Sequence, residues 1–181
     1  VFSGAIAGGG SVRAINVKGG ASFSRKEIDA LVEFVKTYGA KGLAWLKWAE
    51  NGDVSSSFAK FLTEDELAAI YAAVGMEKGD VMLVVADKNK VVLPTLGALR
   101  TLLGKKLDLI PEGYNFLWIT EFPFFEWDEE SQTWAAMHHP FTMPLDECLE
   151  YIDTDPGKVR AKAYDLVLNG VEISSGSIRI T

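Results

Sequence analysis

Tyr164-Asp165-Leu166-Val167-Leu168-Asn169-Gly170-Val171-Glu172-Ile173-Ser174-Ser175-Gly176-Ser177-Ile178-Arg179-Ile180-Thr181 is the stretch that decides the reading of this chain. Two apolar runs flank Asn169-Gly170, the strongest short signal for a two-residue hairpin with a type I′ turn. Closing that turn pairs Leu168 with Val171, Val167 with Glu172, Leu166 with Ile173 and Asp165 with Ser174. Side chains alternate along a strand, so Leu166, Leu168, Val171 and Ile173 share one apolar face. The other face carries Asp165 diagonally across from Glu172, at roughly 5.5–8 Å between β-carbons. Two carboxylates that close repel unless a cation sits between them. Mg2+, which is held by one or two carboxylates together with substrate phosphates, fits that need. On spacing alone, an amphipathic hairpin with a solvated acidic face is the favoured reading.

Outward from the hairpin, the charge is uneven. Residues 1–110 hold 14 Lys/Arg against 12 Asp/Glu, net +2, and residues 111–181 hold 4 against 13, net −9, within an overall −7. Such asymmetry predicts two units with different partners, and the acidic one is a poor nucleic-acid surface because phosphate binding is dominated by Lys and Arg. At 181 residues the chain has enough core to fold unaided. No run approaches the ~20 apolar residues of a membrane span. The single cysteine, Cys148, excludes an intrachain disulfide and suits a reducing, cytoplasmic setting. Val1 to Gly10 lack a basic leader and an initiating Met, and read as a cut inside a longer chain and not as a signal peptide.

The first 110 residues spell strand, helix, hairpin, helix, strand, helix. Val12 to Lys18 alternates as a strand. Ser24 to Glu27 and Thr63 to Glu66 are capping boxes that open helices ending near Gly39 and Gly75. Leu43–Glu50 and Val54–Phe61 flank Asn51-Gly52-Asp53 as a hairpin, with Trp45 and Trp48 on opposite faces. Val81 to Val85 is a buried strand, and a helix runs from about Asn89 to Gly104, with Pro94 at its start or as a kink. This predicts an α+β fold, a two-layer unit with an antiparallel sheet and helices on one face. Gly8-Gly9-Gly10 lacks the Lys and Ser/Thr of a phosphate loop and reads as a flexible joint. Leu109 to Gly113 marks a boundary. Beyond it come aromatic strands at Phe116–Glu121 and Phe124–Asp128, a strand at Thr133–Met137, a short helix at 145–153, and the final hairpin.

The runs YDLVLNGVEISSGSIRI, AMHHPFT and DPGKVRAKAYD together resemble the catalytic core of bacterial-type aspartyl-tRNA synthetases. The resemblance implies that residues 1–110 are the insertion (GAD-like) domain of that family, also found in an archaeal transamidase subunit that acts on tRNA. It implies that residues 111–181 are part of a class II synthetase antiparallel sheet, truncated at both ends. The substrates it implies are ATP, L-aspartate and tRNA, in a longer protein that forms a homodimer. Catalysis there is mainly positioning plus electrostatic stabilisation of phosphate charge. By resemblance, Asp165 and Glu172 hold Mg2+ with ATP, Arg179 grips the side-chain carboxylate of aspartate, and His138 and His139 sit on a loop over that amino acid. The residues alone leave Arg179 an ordinary ion pair with Asp165 or Glu172 as the alternative, and His138-His139 a solvent-facing loop. Adjacent histidines diverge in an extended segment, which argues against zinc. The chain departs from the family at Ser174-Ser175-Gly176, where three glycines are usual, and at Glu121, where Asp is usual. The alternative function is a non-catalytic tRNA-binding module of the transamidase type, which the first 110 residues alone would permit. Whether asparagine tRNA is also charged is left open.

One geometric condition follows. In an unbroken strand Glu172 and Arg179 face opposite ways, because seven residues is an odd separation. A β-bulge at Ser174 to Gly176, with Gly176 taking the unusual backbone angles, would return Arg179 to the carboxylate face.

Overall fold

The computed structural model describes residues 2–180, and the chain divides after Pro111 into two compact units. The first unit begins with a short helix, α1 (Ser3–Ala7), and strand β1 (Ser11–Val17). Helix α2 (Arg25–Lys36), strands β2 (Ala44–Trp48) and β3 (Val54–Ser56), helix α3 (Glu64–Val74), strand β4 (Val81–Asp87) and helix α4 (Asn89–Lys106) follow. Both expected capping boxes form: Ser24 accepts from the Glu27 amide while Glu27 accepts from the Ser24 amide, and Thr63 and Glu66 repeat the arrangement. Each satisfies two of the amides that a helix start leaves without intrahelical partners. Pro94 lies inside α4, neither at its first residue nor as a boundary.

The strands pair antiparallel in the order β1-β4-β2-β3. Val81, Met82, Leu83, Val84 and Val85 of the central β4 are all buried, so both of its faces are covered. Val81, Leu83 and Val85 pack with Ile28, Leu31 and Val35 of α2 and Val92, Leu99 and Leu103 of α4. Met82 and Val84 face the other way, with Leu46, Phe58 and Met76, against Leu67, Ile70, Tyr71 and Val74 of α3. The α+β character and antiparallel sheet are as expected, but helices occupy both faces, not one. The reason is visible in β4: an unbroken apolar run leaves no face for water, where a sheet with one solvated face alternates. Each such side chain, fully buried, contributes about 1.5–3 kcal/mol. Trp45 packs into the first cluster and Trp48 into the second, where it stacks on Tyr71 at 4.7 Å between centroids.

Gly10 corrects the expectation of a flexible joint. A β-carbon there would overlap the Asp87 carbonyl at the end of β4, so glycine is needed for a close backbone approach. Asp80 is a feature the sequence did not announce. Its carboxylate is 4% exposed and accepts from Asn16 Nδ2 (2.9 Å), the Glu77 amide (3.0 Å) and the Gly19 amide (3.1 Å), with Lys18 Nζ at 3.1 Å. Asn16 and Lys18 also donate to the Gly75 carbonyl at the end of α3. Burial pushes the Asp80 carboxyl up, and the donors of Asn16, Glu77, Lys18 and Gly19 outweigh it and hold it below the usual carboxylate range.

The second unit holds β5 (Phe116–Ile119), β6 (Phe125–Asp128), β7 (Thr133–Ala136), β8 (Ala163–Leu168) and β9 (Val171–Ser177). β5, β8 and β9 form one antiparallel sheet with β8 central, while β6 and β7 form a separate hairpin in which Trp127 opposes Trp134. The helix expected at 145–153 is a 3-10 helix, Asp146–Tyr151. The turn between β8 and β9 has Asn169 at φ 50° and Gly170 at φ 82°, both positive as a type I′ turn requires. Asn169 also accepts from the Asn115 amide (2.8 Å) and donates to the Gly113 carbonyl (2.9 Å).

The apolar face of the hairpin is open. Phe116, Trp118, Leu166, Leu168 and Val171 share it by register, and Phe116 and Trp118 are each 60% exposed and Val171 64%. Burial in this unit falls on the other side of the sheet and its loops, at Val167, Ala163, Ala161, Val159 and Cys148. Among the described residues no helix is long and apolar enough to cross a membrane.

Candidate functional site

Every candidate residue belongs to the second unit, and the site is built on the pairing of β8 with β9. Leu168 pairs with Val171 and Val167 with Glu172, as the turn dictates. The register then slips: Leu166 pairs with Ser174, Asp165 with Ser175, Tyr164 with Gly176 and Ala163 with Ser177. Ile173 is the extra residue, and the pairings expected for Leu166 and Asp165 are each displaced by one. The bulge therefore exists but lies one residue earlier than Ser174–Gly176. Gly176 is regularly paired and does not take a left-handed angle. Its glycine has another cause: a β-carbon there would come within 2.8–2.9 Å of the Tyr164 ring and hydroxyl, so the missing side chain makes room for Tyr164, which meets Trp118 edge-on at 5.8 Å.

The slip has the predicted consequence for the faces. Residues directly opposite each other share a face, so Glu172, Val167, Asp165, Ser175, Ala163 and Ser177 lie together. Beyond Ser177 the chain stays extended: the Ile178 amide donates to the Lys162 carbonyl (2.9 Å), and the Met143 amide donates to the Ile178 carbonyl (2.8 Å). Alternation then puts Arg179 on the same face as Asp165 and Glu172. Without the extra residue it would point to the other side.

Sharing a face is not contact. From Glu172 to Arg179 the strand advances six effective steps, roughly 20 Å at 3.3 Å per residue. Among the described residues neither Asp165, Glu172 nor Arg179 has an ion-pair partner within 4.0 Å, so the alternative of an internal pair for Arg179 is not the observed arrangement. Glu172 and Arg179 are exposed and Asp165 is half-buried. A face with two carboxylates toward one end and a guanidinium toward the other suits an elongated pair of substrates, cation-bearing at one end and anionic at the other.

His138 and His139 do diverge. The His138 ring meets Phe122 edge-on at 5.0 Å, whereas His139 Nδ1 accepts from the Phe141 amide (3.2 Å) and its carbonyl accepts from the Thr142 amide (2.9 Å). That turn leads directly to Thr142, the cross-strand partner of Arg179. The sequence assigns Thr142 no role of its own; it is only the last residue of the run AMHHPFT. It is 3% exposed and its hydroxyl has no hydrogen-bond partner. The histidine loop is thus tied to Arg179 by backbone pairing.

Glu121 sits at φ 57°, a left-handed conformation that Asp and Asn tolerate better than longer side chains do. This gives a physical reason for Asp at that place in the family it resembles. Among the described residues no group of three or more His, Cys, Asp or Glu side chains is arranged to hold a metal ion. Two carboxylates still fit Mg2+, because that ion takes one or two from protein and the rest from phosphate and water.

The architecture is that of an α+β protein in two units, one closed around its own core and one presenting an open strand face. A family profile described as the GAD domain matches residues 2–96, and the chain belongs to that family. Along 99% of its length it is also similar to bacterial ligases. It is 62% identical over 181 residues to the aspartate–tRNA ligase of Ruminiclostridium cellulolyticum and 58% identical over 182 residues to that of Clostridium perfringens. It is 56% identical over 181 residues to the aspartate–tRNA(Asp/Asn) ligase of Lachnoclostridium phytofermentans. The chain spans about 30% of the length of these relatives.

Proposed function

We propose that the chain is a segment of an aspartate–tRNA ligase, with residues 1–110 as its insertion domain and 111–181 as part of its catalytic domain. In this reading Asp165 and Glu172 hold Mg2+ with ATP, the cation neutralising phosphate charge. Arg179 pairs with the side-chain carboxylate of aspartate, a bidentate match for guanidinium. His138 and His139 contact the amino acid, and Thr142 carries their loop to Arg179. The longer protein acts in the cytoplasm as a homodimer. The observation that supports this best is the extra residue at Ile173, which puts Arg179 on the face of both carboxylates. The transamidase-type alternative draws on the first 110 residues alone, where the GAD profile matches residues 2–96, whereas the similarity to ligases runs on through the second unit.

The test is a chimera. Residues 2–180 replace the matching segment of the Ruminiclostridium cellulolyticum ligase, and aspartate-dependent pyrophosphate exchange and charging of aspartate and asparagine tRNAs are measured. The chimera is expected to be active. Glu172→Gln and Arg179→Leu are expected to lower kcat/KM by a factor of about 100–1000, the usual loss for one charge-stabilising group. An active chimera indifferent to both substitutions contradicts the site. The 181-residue chain alone is expected to give no exchange, because clamps that act as a unit fail together.

A further inference from the structure

A groove of about 470 Å³ runs between β1 and α4, lined by Arg13, Ala14, Ile15, Leu96, Gly97 and Arg100. Its geometry suits a polypeptide strand. β1 is the outermost strand of its sheet, and among the described residues its backbone bonds only to β4, so its outer row of amides and carbonyls is unpaired. Along β1 the side chains alternate: Val12 and Ala14 pack toward α3, leaving Arg13 and Ile15 on the α4 side, where Ile15 joins the first core cluster. The groove is therefore bounded by a free strand edge, floored by Ile15 and Leu96, and flanked by two guanidiniums.

Two further features distinguish it from an ordinary guarded edge. Neither Arg13 nor Arg100 has a carboxylate within 4.0 Å among the described residues; Arg13 Nε donates only to Ser11 Oγ, at 3.3 Å. Gly97 lies in the interior of α4, where glycine is unfavourable relative to alanine, yet a β-carbon there would meet nothing within 4 Å. Packing within the fold does not call for glycine at this place. Its effect is to leave the helix wall of the groove bare.

We propose that this groove docks an extended acidic segment of another polypeptide. The segment adds as a fifth strand along β1 and places carboxylate side chains on Arg13 and Arg100. Strand addition uses both the amides and the carbonyls of a free edge, and alternate side chains reach the groove, so backbone pairing gives affinity and the arginines give selectivity. Nucleic-acid phosphates only accept, and the ribose 2′-hydroxyl is the one donor an RNA backbone has, so a nucleic acid does not match the alternating amides and carbonyls of the β1 edge as a second strand does, which is why the polypeptide is favoured. This inference stands independently of the ligase reading, since it uses no residue of the second unit.

The experiment uses the 181-residue chain and a synthetic peptide alternating glutamate with threonine. The same peptide with lysine in place of glutamate and a single-stranded oligouridylate serve as controls. Binding is followed by amide chemical shifts and amide exchange. The acidic peptide is expected to bind saturably, shift the amides of Ser11 to Val17 and slow their exchange, while the lysine peptide does not. Combined Arg13→Glu and Arg100→Glu are expected to weaken binding about tenfold or more. Gly97→Gln, which favours the helix, is expected to weaken binding while leaving the fold and its stability intact. Equal binding of the lysine peptide, oligouridylate binding at Arg13 and Arg100 without acidic-peptide binding, unchanged affinity in Gly97→Gln, or no binding at all would each overturn the proposal.

Discussion

The two units are apolar in similar proportion, about half of residues 1–111 and somewhat under half of residues 112–181, yet use that sequence in opposite ways. In Val1–Pro111 the central strand buries five consecutive side chains between helices on both sides. In Glu112–Thr181 the central strand β8 buries Val167 and Ala163 on one side, while Phe116, Trp118 and Val171 stand open on the other. The lesson is that self-sufficiency and the proposed substrate site are separated along the chain. The unit that closes on itself carries none of the proposed substrate-binding residues, and the unit that carries them leaves much of its apolar surface uncovered.

The sharpest way to break that contrast is to make the same kind of truncation in each sheet. Leu83→Ala in β4 is expected to cost about 2–5 kcal/mol, because it removes a wholly buried side chain and leaves a cavity. Phe116→Ala in β5 is expected to change stability by no more than about 0.5 kcal/mol, because its ring is already mostly in water. Urea unfolding of both variants checks this, and equal losses would dissolve the contrast. Next in size is Asp80→Ala, expected to cost about 3 kcal/mol, since it strands Asn16, Lys18 and two amides that its carboxylate satisfies.

Acid sharpens the picture of how the first unit is tied. Lys106, the Ser24 amide and the Ser24 hydroxyl together hold the Glu27 carboxyl down to about 2, against an ordinary 4.5. A depressed carboxyl contributes stability that is present above its unfolded value and lost as pH falls through the folded one. The first unit is therefore expected to weaken between about pH 4.5 and about pH 2, and Glu27→Gln to flatten part of that slope in acid-unfolding curves. A smaller loss than that of Leu83→Ala or Asp80→Ala belongs to the cap itself: Ser24→Ala is expected to cost about 1 kcal/mol by thermal unfolding.

What was legible in the sequence was local. Capping boxes, the Asn169-Gly170 turn and the runs of strand and helix are each fixed by residues within a few positions of one another, and the structure has them. Three features depended on parts distant in sequence. The second helical layer appears only when β4 is seen in the middle of its sheet. Gly10 and Gly176 are glycines because of Asp87 and Tyr164, which nothing nearby in the chain announces. The Asp80 network joins residues some sixty positions apart. The bulge lies between these cases. Its necessity followed from counting faces, but its place did not, because Ser174-Ser175-Gly176 drew attention to backbone freedom, whereas the slip falls at Ile173 and Gly176 answers to the Tyr164 ring.

The most direct test of the contrast is native-state amide exchange on the 181-residue chain. The amides of β1, β2, β4, α2 and α4 are expected to be protected to the level of global unfolding. Those of β5 and β9 are expected to open far more readily, with β8 between them. Stronger protection across 112–180 than across 12–104 would contradict the account.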